Sequence, residues 1–389
     1  MYRLYEYMRR QLEQVPTSFH RYLYDEIKWE NRMLGIVGPR GVGKTTLFLQ
    51  RIREAHSTND SLYVSADHIY FADHSLYGVA EEFVRNGGKY LFIDEVHKYD
   101  NWSRELKSMF DSLPDLHVCF TGSSVLDIEK GQADLSRRAP KYMLQGLSFR
   151  EYLAIEHGIE APLLSLAEIL EGVPSIQGLE HPLPLFKGYL RRGYYPFGGD
   201  PDFDIELGQV IGRTLESDIP LFAQMTPATG RKLLKLMAIV STLAPFKPNM
   251  TSLGSQIQAS RNNIEDYLLY MEKAGMIAQL RTGASGLGAP GKPEKVYLDN
   301  TNILYNLSEG NEDVGSVRET FFFNQMRVKH LVTASKLSDF EIGGITFEVG
   351  GKNKGQVQIR DAERGYIVKD DIEYGHGNVV PLWMFGLTY

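Results

Sequence analysis

The sequence predicts an α/β fold with a parallel sheet in the first part of the chain, and three observations support it. Short, almost continuously apolar runs alternate with helical stretches between residues 33 and 150. Such runs are typical of strands that are covered on both faces. A glycine-rich segment directly follows the first run, and two adjacent carboxylates end the third. Because ligands of open parallel sheets bind at the carboxyl ends of strands, we expect a ligand site there.

The apolar runs and the stretches between them can be assigned to strands and helices by length and periodicity. The expected strands are Met33–Val37, Leu62–Ser65, Tyr90–Ile93, Leu116–Phe120 and Lys141–Leu144. The expected helices are Lys44–Ala55, Tyr77–Asn86 and Trp102–Ser112. Strands that alternate with helices in this way form βαβ units, so the sheet should be parallel.

Composition limits the classes of protein that this chain can represent. With 389 residues and 43% hydrophobic content, it is long enough for several domains with real cores. The net charge of −7 gives no overall basic footprint for nucleic acid. No apolar run approaches the length of a membrane span and no secretory signal opens the chain, so we expect a cytoplasmic protein. The single cysteine, Cys119, lies in an apolar run and is expected in the core.

Residues 38–46 carry the most specific motif. The segment Gly38-Pro39-Arg40-Gly41-Val42-Gly43-Lys44-Thr45 matches the phosphate-binding loop at every fixed position, and Thr46 follows it. A strand precedes it and a helix follows, which is the context that the motif requires. Loop N–H groups and the helix N-terminus would face the phosphates. Lys44 would reach the β- and γ-phosphates, and the hydroxyl of Thr45 would ligate Mg²⁺.

Two carboxylates complete the expected site. The expected strand Tyr90–Ile93 is directly followed by Asp94 and Glu95. Asp94 is placed to hold Mg²⁺, and Glu95 to orient and deprotonate an attacking water. Nucleotide binding alone needs only the first carboxylate, so Glu95 favours hydrolysis. Both together also fit the simple alternative of an acidic helix cap.

Polar and basic residues beyond the fourth strand are further candidates. Ser123, Ser124 or Thr121 would contact the γ-phosphate or the water, unless this segment is an ordinary turn. Arg138, Arg137 or Arg40 would stabilise transition-state charge, in the same chain or from a neighbouring subunit. Surface charge is an equally good interpretation of each arginine.

The rest of the chain divides into three further regions. Residues 156–227 are helical and rich in proline, as in a lid or connector after a P-loop domain over residues 1–155. Residues 228–300 contain three expected helices followed by a hairpin, which is the winged-helix pattern. These elements are Thr229–Leu243, Ser252–Ile257, Arg261–Ala274, Met276–Arg281 and Lys295–Leu298. Residues 301–389 form a small α/β region with a helix at Val317–Val332 and strands such as Phe340–Phe347.

Several segments of the sequence together resemble prokaryotic AAA-type ATPases of the additional-strand P-loop class, which carry a conserved C-terminal domain of unknown function. The segments are Gly38–Thr46, Leu91–Glu95, Phe120–Ser124, Leu147–Leu153 and Gly193–Pro196, the last with Tyr194 in place of a usual glycine. The resemblance implies ATP and Mg²⁺, and no N-K-x-D segment for reading guanine appears. It also implies a winged helix and a C-terminal domain similar to restriction-endonuclease-like folds.

In that C-terminal region, the resemblance implies a second, acidic site. Asp339 and Glu348 match the family's metal-binding carboxylates, Glu319 is a third candidate, and all would share a divalent metal. Gly350 stands where the lysine of the motif belongs, so Lys352 or Lys354 would have to replace it. An active nuclease, an inactive or binding remnant and an unrelated fold all remain open.

Three functions follow from these residues. The first is an Mg²⁺-dependent ATPase whose nucleotide state switches the winged-helix and C-terminal domains. The second is a metal-dependent nuclease gated by ATP, and the third is a DNA-binding regulator that only senses nucleotide. A protein partner or a homo-oligomer fits the first, whereas DNA is weakly supported because the expected recognition helix carries more acids than bases.

Overall fold

The computed structural model describes residues 1–122, 135, 137–172, 176–223, 225–283, 293–355 and 357–389. The chain forms two compact units, Met1–Gly146 and Leu147–Tyr389. Within these described ranges, no helix is sufficiently long and apolar to cross a membrane.

The first unit is an α/β structure that alternates strands with helices. Its strands are β1 (Met33–Val37), β2 (Ser61–Ser65), β3 (Tyr90–Asp94), β4 (His117–Gly122) and β5 (Lys141–Met143). Its helices are α1 (Tyr2–Gln14), α2 (Leu23–Glu26), α3 (Lys44–Ala55), α4 (Leu76–Arg85) and α5 (Trp102–Ser112). Short 3₁₀ turns span Ile69–Ala72 and Val96–Lys98. The expected strands and helices of this unit are thus confirmed to within a few residues.

The five strands form one parallel sheet in the order β2-β3-β4-β1-β5. Strands β1 and β2 are buried along their whole length, as their unbroken apolar sequences predict. Strand β4 lies between β1 and β3, so one strand separates the glycine-rich loop from the strand that carries Asp94. This order confirms the expected α/β fold, and it brings the carboxyl ends of β1, β3 and β4 side by side.

The second unit begins with a helical region. Its helices are α6 (Phe149–His157), α7 (Leu166–Glu171), α8 (Pro182–Gly188), α9 (Phe203–Arg213) and α10 (Ile219–Phe222). Two π-helical turns, Tyr189–Gly193 and Thr214–Asp218, continue α8 and α9. The unit starts at Leu147 rather than at residue 156, because Ser148 donates a hydrogen bond to the carbonyl oxygen of Tyr389 (2.6 Å), and Leu147 accepts one from Tyr189 (2.7 Å).

Three helices and an antiparallel hairpin follow, in the order expected for residues 228–300. They are α11 (Pro227–Leu243), α12 (Met250–Ile257), α13 (Arg261–Lys273), β6 (Ile277–Arg281) and β7 (Pro293–Leu298). Phe246 extends the hairpin through a bridge to Val296 in β7. The winged-helix interpretation of this segment stays a prediction.

The C-terminal part contains helices and a mixed five-stranded sheet. The helices are α14 (Thr301–Ser308) and α15 (Val314–Met326). The strands are β8 (Val332–Ala334), β9 (Phe340–Ile342), β10 (Ile345–Gly350), β11 (Gly365–Lys369) and β12 (Val379–Pro381), in spatial order β12-β11-β10-β9-β8. Turns of 3₁₀ type span Val357–Ile359 and Leu382–Leu387.

Two expected elements in this part were wrong in extent. The helix expected at Val317–Val332 ends at Met326, because the chain turns there and Val332 begins β8. The strand expected at Phe340–Phe347 is two strands, since Gly343 and Gly344 adopt positive φ values of 56° and 79° and reverse the chain. The reversal places β9 antiparallel to β10.

Candidate nucleotide site

The glycine-rich loop connects β1 to α3 at the carboxyl edge of the first unit's sheet. Gly38 is required there because a Cβ at this position would lie 2.1 Å from the carbonyl oxygen of Leu144. Gly43 caps α3 with a φ of 96°, a left-handed conformation that glycine adopts without strain. Val42 is buried and Arg40 is half-buried. The loop therefore has the backbone conformation that the motif predicts at the helix N-terminus.

Lys44 is buried beneath this loop. Its ammonium donates hydrogen bonds to the carbonyl oxygens of Gly38 (3.0 Å) and Pro39 (2.7 Å). Burial lowers the pKa of Lys44 to about 8, while the charges of Glu95 and Asp94 act in the opposite direction. A desolvated cation that is hydrogen-bonded to the loop carbonyls is suited to bind phosphate oxygens.

The loop helix meets strand β3 through Thr45 and Asp94. The Thr45 hydroxyl donates to Oδ2 of Asp94 at 2.6 Å, although 49 residues separate the two in sequence. A hydroxyl and a carboxylate oxygen side by side are hard ligands of the type that Mg²⁺ prefers. The residues present therefore fit the expected Mg²⁺ site.

Other neutral groups surround the carboxylate of Asp94. Tyr63, on β2, donates its hydroxyl to Oδ2 at 2.9 Å. Thr121, at the end of β4, donates to Oδ1, and the backbone N–H of Glu95 also faces Oδ1 at 3.2 Å. Thr121 was a candidate for contact with the γ-phosphate, but here its hydroxyl joins β4 to β3, since it also accepts from the N–H of Glu95 at 3.1 Å.

Glu95 follows Asp94 in a left-handed backbone conformation with a φ of 54°. Such a conformation is uncommon for a residue with a side chain, and it is often found at functional sites. The ring Nε2 of His97 lies 3.6 Å from Oε2 of Glu95. Burial lowers the pKa of His97 to about 3, and the charges of Lys98, Lys44 and Arg40 add to this effect. His97 is thus neutral at pH 7.

Two further residues were predicted for this site. Ser123 lies outside the described residues. Arg138 pairs with Asp111 at 3.0 Å near the end of α5, where the chain returns to the amino edge of the sheet. A five-residue strand spans roughly 16 Å between the two edges. Arg138 therefore does not face the loop of its own chain, and only a copy from a neighbouring subunit would fit the expected role.

Three residues that shape the site carry no recognisable signal in the sequence. They are Arg21, Tyr63 and His97. The buried guanidinium of Arg21 donates to the carbonyl oxygens of Val42 (2.5 Å), Gln145 (2.7 Å) and Gly146 (2.9 Å), and it thereby fixes the loop. Such residues come from elements far apart in sequence, and no local motif marks them.

The acidic residues that were expected to form a second site lie in the second unit, and a lysine separates two of them. Lys295, on β7, pairs with Glu319 at 3.1 Å and with Asp339 at 3.3 Å. Burial and the charge of Asp339 raise the pKa of Glu319, while Lys295 opposes this shift. Tyr297 also donates to Glu319, at 2.7 Å. The cation that Glu319 and Asp339 share is therefore supplied by the chain.

Glu348 has a lysine partner of its own. Its buried carboxylate pairs with Lys354 and accepts a hydrogen bond from Ser338. Gly350 makes room for this lysine, because a Cβ there would lie 2.7 Å from the Lys354 side chain. Lys352, the other candidate, is exposed. In the part of the chain that the structure describes, no three His, Cys, Asp or Glu side chains are grouped to hold a metal, and the shared site stays a prediction.

Comparison with known proteins finds a family match over the segment that contains the first of these two sites. Residues 30–153 match the model of a family described as AAA domain. This match supports an AAA-type P-loop ATPase domain in that segment, and with it nucleotide binding and hydrolysis at the level of the family. No curated protein matched the sequence.

Two of the solved structures that match this chain each cover more than two thirds of it. One is a Walker-type ATPase of Pyrococcus abyssi, with 14% identity, a TM-score of 0.46, and coverage of 76% of this chain and 99% of that one. The other comes from a study of katanin self-assembly, with 14% identity, a TM-score of 0.28, and coverage of 69% of this chain and 85% of that one.

Proposed function

We propose that this chain is an Mg²⁺-dependent ATPase whose nucleotide state switches the arrangement of its winged-helix and C-terminal regions. The observation that carries the proposal is the 2.6 Å contact between Thr45 and Asp94. It joins the end of the phosphate loop to β3, the strand that Glu95 directly follows. Residues that bind phosphate, metal and water are thereby close together, as hydrolysis requires.

Each residue has a distinct role in this proposal. Lys44 would exchange its bonds to the loop carbonyls for bonds to β- and γ-phosphate oxygens. Thr45 and Asp94 would hold Mg²⁺, which supplies charge stabilisation at the phosphates when bound. Glu95 would accept the proton of the attacking water. Ser123 is proposed to contact the γ-phosphate, and Arg138 to act from a neighbouring subunit of a homo-oligomer.

The position of Glu95 favours hydrolysis over nucleotide sensing. This residue directly follows Asp94 in a left-handed backbone conformation, and the ring of His97 lies 3.6 Å from its Oε2. A carboxylate next to the residue proposed to hold Mg²⁺ is placed to accept a proton from the attacking water. A pure sensor would have no use for such a base.

Acidic neighbours of the basic residues argue against the DNA-binding alternative. Three cations on or near the expected recognition helix and hairpin each have a carboxylate partner: Arg261 with Glu265 (3.2 Å), Arg281 with Glu272 (2.5 Å) and Lys247 with Glu294 (2.6 Å). These carboxylates would repel the phosphates of DNA, so this surface has little net positive charge for binding. The nuclease alternative is disfavoured for a related reason, because Lys295 and Lys354 already pair with the acidic residues that would bind metal.

The test is ATP turnover by the purified full chain, with Mg²⁺ or EDTA, and with or without double-stranded DNA at two salt concentrations. Wild type is compared with Glu95→Gln, Lys44→Ala and the matched control Glu54→Gln. Glu54 is a partly exposed carboxylate of the same unit that bonds His20 and Tyr24. We expect Glu95→Gln to lower turnover about 10²- to 10⁴-fold while ATP still binds. Lys44→Ala should lose binding as well, and Glu54→Gln should behave as wild type.

Other outcomes would overturn specific parts of the proposal. Normal turnover by Glu95→Gln would place the base elsewhere. Wild-type protein that binds ATP but never hydrolyses it would favour the sensor. DNA cleavage that disappears in Asp339→Asn would favour the nuclease, and a mobility shift that persists at the higher salt concentration would support DNA binding.

A further inference from the structure

The carboxylate of Asp94 is tethered at both of its oxygens by neutral donors. Thr121 and the backbone N–H of Glu95 donate to Oδ1. Thr45 and Tyr63 donate to Oδ2, at 2.6 Å and 2.9 Å. Of these groups, Thr45 belongs to the phosphate loop, and Thr121 ends a neighbouring strand. Tyr63 belongs to neither, and the proposed hydrolysis assigns it no role.

The sheet register explains how Tyr63 reaches Asp94. Ser65 of β2 lies opposite Asp94 of β3. Tyr63 is two residues earlier on the same strand, so its side chain emerges on the same face as that of Ser65. The tyrosine hydroxyl bridges this two-residue offset, and the side chain is only 2% exposed. Its position is therefore set by the backbone of the sheet.

Helix α1 holds the ring of Tyr63 from the other side. The ring of Tyr7 stacks on it at 5.9 Å with an interplanar angle of 18°. The backbone N–H of Tyr63 points to the sulfur of Met8 at 3.2 Å. A ring that is packed between a strand and a helix has little freedom to rotate, so its hydroxyl is a rigid donor.

We propose that Tyr63 is a positioning residue that orients Asp94 for the divalent cation of the bound nucleotide. The inference rests on the proposed function and deepens it. Donors at both oxygens fix the plane of the carboxylate, and the Tyr63 hydroxyl is the tether on the oxygen next to Thr45. Hydrogen-bond partners of metal ligands typically contribute 10- to 100-fold to metal affinity.

The test compares Tyr63→Phe with the control Tyr24→Phe. Both changes remove a hydroxyl that donates to a carboxylate at 2.9 Å in the same unit, but the partner of Tyr24 is Glu54. The Mg²⁺ concentration for half-maximal ATP turnover is measured at saturating ATP. Binding of Mn²⁺ to the complex with a non-hydrolysable ATP analogue is measured by electron paramagnetic resonance, well below the melting temperature of each variant.

We expect Tyr63→Phe to need about 10-fold more Mg²⁺ and to bind Mn²⁺ about 10-fold more weakly, with kcat recovered at saturating metal. Tyr24→Phe should match wild type. An unchanged metal requirement in Tyr63→Phe, or a loss of kcat that metal does not restore, overturns the inference. If wild type binds nucleotide without hydrolysing it, the proposed function fails, but the Mn²⁺ comparison still decides the role of Tyr63.

Discussion

The two groups of carboxylates in this protein have different kinds of partner. At the phosphate loop, Asp94 accepts hydrogen bonds from hydroxyls and a backbone N–H, and neutral His97 lies beside Glu95. In the second unit, Lys295 pairs with Glu319 and Asp339, and Lys354 pairs with Glu348. Each group contains a buried acidic residue on a strand, Asp94 on β3 and Glu348 on β10, so residue type alone does not distinguish them.

The difference lies in the charge that remains. Hydroxyl and N–H donors orient a carboxylate and leave its negative charge in place, so that it attracts an added cation. A lysine orients a carboxylate and also neutralises it. We infer that the first group is arranged to bind a divalent cation together with the nucleotide. The second group is neutralised by lysines of the chain, which stabilise the fold.

Of the variants that test this comparison, Lys295→Ala is expected to lose the most stability. The change leaves Glu319 and Asp339 close together without their shared cation. Breaking a fully buried pair costs about 3–5 kcal/mol, but Lys295 is 32% exposed, so we expect a loss of about 1–3 kcal/mol. Equilibrium urea denaturation, monitored by far-UV circular dichroism, measures it.

Lys247→Ala is the matched control for this experiment. Lys247 also pairs with a glutamate of the hairpin, at 2.6 Å, but its side chain is 64% exposed. Exposed pairs contribute about 0.2–1 kcal/mol, so the control should lose little stability. Equal losses in the two variants would mean that Lys295 has no special role in neutralising the acidic residues.

A smaller effect is expected from His97, which tests whether the ring beside Glu95 is neutral. The pKa of His97 is about 3 in the folded chain and 6.5 as its ordinary value. Between these values the unfolded chain binds a proton that the folded chain does not, so stability falls as the pH decreases below 6.5. From pH 7.5 to 5.5, this one group should cost about 1.4 kcal/mol.

His97→Gln should remove that contribution, since glutamine does not titrate. Urea denaturation at both pH values gives the difference in stability for each protein, and wild type should show the greater loss on acidification. Parallel losses in wild type and variant would indicate that the pKa of His97 is the same in the folded and unfolded chains. A ring that is charged at pH 5.5 would then lie beside Glu95, which contradicts the comparison.

The sequence alone was sufficient for the parts of the first unit that depend on local patterns. Continuous apolar runs gave the strands, and the glycine spacing gave the loop with Lys44 and Thr45. The position of Asp94 at a strand end, together with parallel topology, placed it near Thr45. These are consequences of strand periodicity and of a motif whose residues are contiguous.

Partners that come from distant segments were not predicted. Tyr63 meets Asp94 only through the register of β2 and β3, and Lys295 meets Glu319 only after the hairpin packs on α15. Of the two candidate lysines, Lys354 rather than Lys352 pairs with Glu348, because Gly350 leaves space for its stem. Such contacts depend on side-chain packing, which the sequence pattern does not specify. The placement of Arg138 beside Asp111 was missed for the same reason.

The most direct test of the account is the number of Mn²⁺ ions bound per chain, with and without a non-hydrolysable ATP analogue. We predict about one Mn²⁺ that binds only with nucleotide, is lost in Lys44→Ala and is retained in Asp339→Asn. Mn²⁺ that binds without nucleotide and disappears in Asp339→Asn would contradict the account, because the lysine-paired acids of the second unit would then be the metal site.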